Sequence, residues 1–287
     1  MNWPASLNKK IKTDVILSPF TGFKTGGPAR FFLEAESVEE LKDALDFGRR
    51  KGLAVFVLGS GRNILVGDAG LNALVIRLAG SFFKHIYRDG RFLECGAALK
   101  LNRLLAYAED SALTGLEFLA GIPGTVGGAI AGNAGAWGKA IGDRVEEVRL
   151  LDMKGKPRIF VRGELKFSYR SSNLDKCVIV SARLKLGKGE KGAIGSRIKG
   201  YLLRRSETQG SGLPNAGCVF KNPAKGPAGK LIDACGLKGA CRGGAVISNK
   251  HANFILNREK ADSGDVLFLM DLMRRRVWQK FKIRLKP

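Results

Sequence analysis

Residues 121–136 read GIPGTVGGAIAGNAGA, a stretch with six glycines and no charged side chain. Glycine lets the backbone turn tightly and lets another group approach its N–H donors without a Cβ in the way. Close packing of backbone on backbone could explain one such stretch by itself. In a chain with so many charged residues elsewhere, the run indicates a backbone segment that lies close to another group.

Two further glycine clusters accompany this stretch. Residues 59–63 read GSGRN directly after the apolar run AVFVL, and residues 24–29 read KTGGPA. Backbone N–H groups in such turns can close around a phosphate, so a nucleotide pyrophosphate is a reasonable ligand. A Rossmann domain is not indicated, because Ile64 stands where GxGxxG needs its third glycine. GSGRN alone is more typical of a strand-end turn, but three clusters together strain that interpretation.

Length, composition and charge bound the class of protein. The 287 residues suffice for two or three packed units, and the 45% hydrophobic content is ordinary for a folded chain. The sequence contains no run of about 20 apolar residues and does not start with a secretory signal, so we expect a cytoplasmic protein. The formal charge of +23 would attract nucleic acid, acidic lipid or a phosphorylated small molecule, and does not choose between them.

The cysteines predict neither a disulfide framework nor a metal site. Their number is odd and they show no CxxC spacing, so we expect reduced thiols. The five residues are Cys95, Cys177, Cys218, Cys235 and Cys241.

The pattern of apolar residues predicts an α+β chain. A first domain over residues 1–189, with lobes of about 1–80 and 81–189, is expected to precede a second domain over 190–287. The glycine- and lysine-rich residues 186–200 are the predicted linker between the two domains.

Hydrophobic periodicity also predicts individual elements. The firmest is a helix over residues 37–50, because Ser37 and Glu40 form a capping-box pair and Gly52 supplies a stop. A long helix that Ser263 caps is expected near the end of the sequence. A further helix is predicted at 99–112, and strands are predicted at 31–36, 54–59 (buried), 73–78, 91–97, 145–161 (a pair), 177–186 and 282–285.

Six motifs resemble one known family in their order. The chain is similar to the UDP-N-acetylenolpyruvoylglucosamine reductases, also called UDP-N-acetylmuramate dehydrogenases, over nearly its whole length. The absence of an inserted tyrosine-bearing loop is typical of the shorter subtype of that family. The motifs are FKTGGPA (23–29), VLGSGRNILVGDAGL (57–71), LEFLAGIPGTVGGAIAGNAGA (116–136), FSYRSS (167–172), PNAGCVFKNP (214–223) and ISNKHANFILN (247–257).

The resemblance implies a fold and a cofactor. It implies a two-lobed FAD-binding domain of the vanillyl-alcohol-oxidase type and a C-terminal α/β substrate-binding domain. Neither histidine lies in a glycine loop and Cys95 lies in a strand-like segment, so FAD is expected to bind without a covalent bond. The implied cofactor contacts are Gly59, Ser60, Gly61, Arg62, Asn63, Gly121, Ile122, Pro123, Gly124, Asn133, Ala134 and Gly135.

The implied reaction is the NADPH-dependent, FAD-mediated reduction of UDP-N-acetylglucosamine enolpyruvate to UDP-N-acetylmuramate, a peptidoglycan precursor. Arg170 is the implied stabiliser of the enolate, since a guanidinium can hold carboxylate oxygens bidentately. The alternative for Arg170 is an ordinary surface arginine at a strand end. The implied substrate contacts are Tyr169, Lys221, Asn222 and His251, and Arg204 or its neighbour Arg205 is expected to add a second contact to the anionic substrate.

Cys218 stands where the family has a proton-donating serine. A thiol is a stronger acid than a hydroxyl and a weaker hydrogen-bond donor, so we expect retained proton transfer and greater sensitivity to thiol reagents. The alternative for Cys218 is a small buried apolar residue. The family also has a glutamate at the end of a C-terminal LxPE pattern, and no counterpart of it lies within the 287 residues. Either this glutamate follows Pro287 in a longer chain or this member lacks one acid near the enolate, and the sequence leaves both alternatives open.

Other functions remain open from the sequence. The charge alone would suit a nucleic-acid-binding protein, but no nucleic-acid-binding motif supports one. A flavin-dependent oxidase of the same fold would use the glycine loops without needing the FSYR and AGCVFKNP segments. A nucleotide-sugar-binding flavoprotein with impaired turnover would fit the Cys218 substitution and the missing glutamate. We expect a small-molecule UDP-sugar as partner, no nucleic acid, no membrane and a monomeric state.

Overall fold

The computed structural model describes residues 3–209 and 212–287, and the chain divides into two compact units. Each unit is assembled from three separate segments of the sequence. Unit 1 comprises Met1–Thr13, Arg30–Ser60 and Asn72–Arg204, and unit 2 comprises Asp14–Ala29, Gly61–Leu71 and Arg205–Pro287. The predicted domain boundary near residue 189 stays a prediction.

Helices and strands alternate along the chain as expected for a mixed α+β protein. The α-helices are α1 Val38–Arg50, α2 Leu101–Asp110, α3 Val126–Ala131, α4 Lys191–Gln209, α5 Ala228–Asp233 and α6 Ser263–Phe281. Short 3-10 helices lie at Ser18–Phe20, Phe82–Lys84, Glu117–Leu119 and Ile141–Arg144. The strands are β1 Lys12–Ile16, β2 Pro28–Ala35, β3 Ala54–Val57, β4 Leu71–Leu78, β5 Ile86–Asp89, β6 Phe92–Gly96, β7 Leu113–Thr114, β8 Gly135–Ala136, β9 Lys139–Ala140, β10 Val145–Asp152, β11 Pro157–Val161, β12 Phe167–Ser168, β13 Ser171–Ser172, β14 Cys177–Lys185, β15 Gly187–Lys188, β16 Cys241–Arg242, β17 Ala245–Ile247 and β18 Ile255–Asn257.

Unit 1 is built on two sheets. Strands in the order β2-β4-β3 belong to the first sheet, in which β3 and β4 run parallel, and β11-β10-β14-β6-β5 form a five-stranded antiparallel sheet. Successive side chains of a strand point to opposite faces, so a central strand can serve two cores. In β14, Val178 and Val180 join the core that contains α1, while Ile179 joins the core that contains α2 and α3.

Unit 2 combines the three-stranded sheet β16-β17-β18 with helices α5 and α6. One face of α6 enters a single apolar core through Val266, Leu269, Met273 and Val277. The two shorter segments of unit 2 are tied to the rest of it by hydrogen bonds. Asn257 Nδ2 donates to the Phe23 carbonyl at 2.7 Å, and the Ser263 hydroxyl donates to Asp68 Oδ2 at the same distance.

The predicted first helix is confirmed, with one change at its start. The Ser37 hydroxyl accepts the Glu40 N–H at 3.1 Å, and Leu41 and Leu45 are buried. The Glu40 carboxylate accepts the N–H of Glu36 rather than that of Ser37, so the reciprocal half of the capping box is shifted by one residue. The other helices and most predicted strands are also present within one to three residues of their expected bounds.

The predicted linker over residues 186–200 is wrong. The segment contains β15 and the first half of α4, which runs without a break to Gln209. Glu190 accepts the N–H groups of Gly192 and Ala193, so it caps the helix despite the glycines that follow. Ile194 is buried and Arg197 binds Glu117, and these tertiary contacts offset the weak intrinsic helix propensity of the sequence.

Three smaller expectations are corrected. The run predicted as a buried strand at 54–59 ends at Val57 and is largely exposed, because β3 is an edge strand with β4 as its neighbour in the sheet. Asp262, not Ser263, caps α6, since its side chain accepts the Asp265 N–H at 2.7 Å. Residues 282–285 form no strand; Lys282 adopts a left-handed conformation that ends α6, and the two apolar residues after it are buried.

Candidate active site

Arg170 lies at the tip of a tight hairpin in unit 1. Strands β12 and β13 pair directly, so Tyr169 and Arg170 form a two-residue turn. Arg170 has φ +57°, and its guanidinium carbon is 5.6 Å from the centre of the Tyr169 ring. Both side chains are exposed. Two-residue hairpin turns commonly need a positive φ, so the turn itself accounts for this conformation, and the guanidinium is left exposed at the hairpin tip.

Two of the predicted cofactor segments meet in unit 1. A Cβ on Gly59, just after β3, would lie 3.1 Å from the Thr125 hydroxyl oxygen. Thr125 itself follows the predicted residues Gly121, Ile122, Pro123 and Gly124 and caps α3, accepting the Gly128 N–H at 3.4 Å. The strand end and the glycine loop therefore adjoin and present backbone with little side-chain bulk.

The last three residues of the GSGRN segment belong to unit 2. Gly61 is buried with φ +60°, and a Cβ there would lie 2.1 Å from the Phe20 carbonyl oxygen. Backbone packing alone therefore requires a glycine at this position. Arg62 and Asn63 are exposed, whereas Ser60, assigned to unit 1, is half-buried.

The GNAGA segment continues from α3 into the β8-β9 hairpin. Ala134 and Gly135 are half-buried. The hairpin tip is Trp137, with φ +52°, and its ring stacks on Tyr201 of α4 with centroids 4.5 Å apart. Asn133 differs from its neighbours because it is only 8% exposed.

Cys218 is exposed on the AGCVFKNP segment of unit 2. This segment pairs with residues 253–254: Cys218 forms an isolated antiparallel β-bridge with Phe254, and the Val219 N–H donates to the Asn253 carbonyl at 2.9 Å. The Asn253 side chain, which is 1% exposed, accepts the Phe220 N–H at 3.1 Å and donates to the Phe220 carbonyl at 2.8 Å. Sequence reasoning missed Asn253, although an amide inside the apolar run ANFIL is a signal for a buried polar clamp.

His251 lies beside the same segment. Its Nδ1 accepts the Asn253 N–H at 3.3 Å, an arrangement that leaves Nε2 as the protonated, donating nitrogen of a neutral ring. Burial lowers the pKa of His251, and the nearby Lys238 charge lowers it further, while a backbone hydrogen bond opposes the shift. His251 is therefore neutral at physiological pH and can donate a hydrogen bond without carrying charge.

The remaining predicted substrate residues are exposed. The backbone N–H of Lys221 donates to the Lys286 carbonyl at 2.8 Å. The side-chain ammonium group takes no part in this hydrogen bond. Asn222 Oδ1 accepts the Ala228 N–H at 3.0 Å and so supports the start of α5. Arg204 lies in α4 and is the last residue of unit 1.

Glu117 in the LEFLAGIPG motif is a buried carboxylate with several partners. It accepts hydrogen bonds from the Thr114 hydroxyl, the Gly115 N–H and the Arg197 guanidinium. Burial alone would raise the pKa of Glu117, but these hydrogen bonds outweigh it and hold the pKa below its usual value of 4.5. Glu117 thereby joins the segment before the glycine loop to α4.

A Glu117→Gln variant is expected to be less stable at neutral pH by about 1–3 kcal/mol, because a charge-assisted buried network is broken. The folded pKa is depressed, so the stabilisation is complete above the unfolded pKa and is lost as the pH falls through the lower folded value. Denaturant unfolding at several pH values would measure the difference. Asp110→Asn, which breaks an exposed pair with Lys191, is the control and should cost under about 1 kcal/mol. An E117Q deficit that stayed constant into acid would contradict this account.

The described residues contain neither a membrane-spanning helix nor a metal-binding group of side chains. No helix within 3–209 or 212–287 is long and apolar enough to cross a membrane. In the same ranges, no group of three or more His, Cys, Asp or Glu side chains is placed to hold a metal ion.

Comparisons with known proteins first define the class. Residues 29–160 match the family described as FAD binding domain. The fold also resembles a glucose dehydrogenase, Phl p 4.0202 (17% identity, TM-score 0.50, 64% of this chain and 42% of that one), and a solvent-stable cholesterol oxidase (18%, 0.52, 65% and 39%). The chain thus contains an FAD-binding domain within the predicted α+β fold, and this domain defines its class.

The particular family follows from the rest of the chain. Residues 208–287 match the C-terminal domain of UDP-N-acetylenolpyruvoylglucosamine reductase. Enzymes of that name from Moorella thermoacetica (42% identity, 98% of this chain, 92% of the relative) and Desulfosudis oleivorans (40%, 97%, 93%) align along nearly the whole chain. The solved structure of the Thermus caldophilus reductase matches with a TM-score of 0.83 at 37% identity, covering 96% of this chain and 97% of that one. The chain belongs to the UDP-N-acetylenolpyruvoylglucosamine reductase family, whose reductases act in peptidoglycan precursor synthesis.

Proposed function

We propose that the protein reduces UDP-N-acetylglucosamine enolpyruvate to UDP-N-acetylmuramate, with NADPH as electron donor and non-covalently bound FAD as mediator. The observation that carries this proposal is Arg170, an exposed cation at the tip of the β12-β13 hairpin of unit 1, within the FSYRSS motif. An exposed guanidinium at such a tip can bind a carboxylate with two parallel hydrogen bonds.

The residues of unit 1 fit a dinucleotide cofactor. Gly59 and the loop at 121–124 adjoin and present exposed or half-buried backbone, so phosphate oxygens can approach N–H groups without meeting a Cβ. Cys95, the fully buried thiol, has a pKa raised to about 12 by burial, which makes it a poor nucleophile for covalent flavin attachment. When bound, FAD supplies hydride chemistry that amino-acid side chains cannot provide.

The protein's own residues have three tasks in this reaction. Arg170 holds the substrate carboxylate and stabilises the negative charge that moves onto it as the double bond is reduced. The Cys218 thiol delivers a proton to the carbon next to that carboxylate, which converts the enolate to the product. Lys221 offers a point charge to the diphosphate, and His251 donates from its neutral Nε2 to a sugar or phosphate oxygen. Tyr169, Arg204 and Asn222 complete the proposed substrate contacts.

We also propose a cellular compartment, an oligomeric state and a domain boundary for the protein. The protein is expected to work in the cytoplasm as a monomer, with the FAD-binding domain ending near residue 189 and the UDP-sugar domain following. The charge of +23 suits anionic ligands such as NADPH and a UDP-sugar. We propose no nucleic-acid partner for the protein.

The test is to purify the protein, record its visible absorbance and follow NADPH oxidation with and without UDP-N-acetylglucosamine enolpyruvate. We expect a yellow protein, release of its flavin on denaturation, and turnover that depends on the substrate. A colourless protein would overturn the flavoenzyme assignment. Rapid oxygen consumption with another sugar or alcohol would indicate an oxidase, and substrate binding without NADPH oxidation would indicate a flavoprotein with impaired turnover.

A further inference from the structure

We infer that Asn133 is a positioning residue for Arg170 and does not contact the FAD. The inference rests on the proposed function, because it presupposes that Arg170 acts on the substrate. It differs from the expectation drawn from the GNAGA motif, in which Asn133 is a cofactor contact. The partners of its side chain provide the argument.

Both polar atoms of the Asn133 side chain are committed to the protein backbone. Nδ2 donates to the Ser168 carbonyl at 2.9 Å, and Oδ1 accepts the Gly142 N–H at 3.1 Å. The residue is only 8% exposed. Its side chain therefore has little surface on which to touch a ligand, whereas Ser168 is separated from Arg170 by a single residue.

A second bond ties the other strand of the same hairpin to the same segment. The Ser172 hydroxyl donates to the Ala131 carbonyl at 2.8 Å. Residues 131–133 thus hold both strands of the hairpin, one on each side of the turn. The Arg170 turn is consequently fixed to the end of α3 and does not depend on its own two short strands alone.

Gly142 shows how closely this junction is packed. A Cβ at Gly142 would lie 2.5 Å from the Phe167 ring and 2.8 Å from Asn133 Oδ1. The base of the hairpin and the Asn133 amide therefore share one small space, and a shift of either would move the other. Such packing transmits small displacements because protein interiors are dense.

The residue type at position 133 suits this task. Asn133 has φ +42°, a region that asparagine tolerates better than most residues with a side chain. The position also needs one donor for a carbonyl and one acceptor for an N–H, which a neutral amide supplies together. An ionised aspartate would place an oxygen against the Ser168 carbonyl, and alanine would leave both backbone groups without this partner.

The predicted effect is on turnover and not on flavin content. A displacement of about 1 Å in a positioned catalytic group can cost on the order of 100-fold in rate. We therefore expect Asn133→Ala to lower kcat about 10- to 100-fold, with the flavin-to-protein absorbance ratio and the KM for NADPH unchanged. Ser172→Ala removes the second bond and should lower kcat less.

The decisive experiment is a double-mutant cycle with Arg170→Ala, measured as NADPH oxidation per bound flavin. If Asn133 acts through Arg170, N133A should lower the remaining rate of R170A by less than about threefold, because there is no guanidinium left to misplace. Asn257→Ala is the matched control: Asn257 is 7% exposed and bonds one carbonyl and one N–H in the same way, but in unit 2. Its effect should be the same in both backgrounds.

Several results would overturn the inference. Loss of flavin in N133A with normal turnover per remaining flavin would make Asn133 a cofactor contact. An equal fold-loss in the wild-type and R170A backgrounds would make it a general structural residue. If N133A fails to fold, the double-mutant cycle of S172A with R170A gives the same comparison. Independent effects of S172A and R170A on kcat would then contradict the inference. A fully active R170A would remove the proposed role of Arg170 itself, which is a distinct failure of the proposed function.

Discussion

Arg170→Ala is expected to lower kcat by about 10²–10³-fold, the usual effect of removing one group that stabilises charge in a transition state. The guanidinium lies at an exposed hairpin tip and does not support a core, so folding and flavin content should be unchanged. NADPH oxidation at saturating enolpyruvyl substrate would measure the loss, with visible absorbance used to normalise to bound flavin. Arg170→Lys should recover only part of the rate, because an ammonium cannot bind a carboxylate with two parallel hydrogen bonds.

Arg158→Ala is the matched control for this prediction. Arg158 is another exposed arginine of unit 1, with its side chain 62% exposed and a weak contact of 4.0 Å to Asp152. Its removal should leave kcat within about twofold, since exposed ion pairs contribute little. Equal losses in R170A and R158A would mean that general positive charge, and not the hairpin, supports turnover.

Cys218→Ala should lower kcat by about 10²–10⁴-fold, the range that a positioned general acid contributes. The alanine fills nearly the same space, and Cys218 is exposed, so stability should change little. Cys218→Ser, the residue type that the family resemblance implies, should restore turnover to within about tenfold of the wild type. The wild type should also be inactivated by N-ethylmaleimide, and C218S should resist it.

Cys241 provides the control for the thiol chemistry. It is the second exposed cysteine among the described residues and also lies in unit 2. Cys241→Ala should keep full activity and full sensitivity to N-ethylmaleimide. If C218A turned over at the wild-type rate, or if the inactivation followed Cys241, Cys218 would not be the proton donor.

Sequence reasoning recovered those parts of the fold in which local signals and tertiary packing agree. Helix α1 has a capping serine, a regular apolar face and a glycine stop, and each of these is local. The segment at 186–200 was misread because glycine and lysine indicate a linker locally, while the contacts of Ile194 and Arg197 that make it helical come from distant parts of the chain. Strand β3 was expected to be buried because its residues are apolar, but sequence does not state which strand lies at a sheet edge.

In the candidate site, too, the sequence predicted some features and missed others. Motif order identified the family and singled out Arg170, and the structure adds that this residue is exposed at the tip of a hairpin. The clamping role of Asn133 was not foreseen, because a hydrogen bond between a side chain and a distant backbone group leaves no spacing rule in the sequence. That of Asn253 was missed although the apolar run around it is a signal for a buried amide. Asn133 was instead grouped with the glycine loop that surrounds it.

The interleaved assembly of unit 2 has a consequence for how this chain can be dissected and how it folds. Its segments 14–29 and 61–71 are bonded to residues beyond 205 through Phe23 with Asn257 and through Asp68 with Ser263. A fragment that starts at Arg205 would therefore lack two of the three segments of unit 2 and would expose part of its apolar core. Because such pairings close long loops, the unit should acquire protection from hydrogen exchange late, after the local hairpins and helices of unit 1.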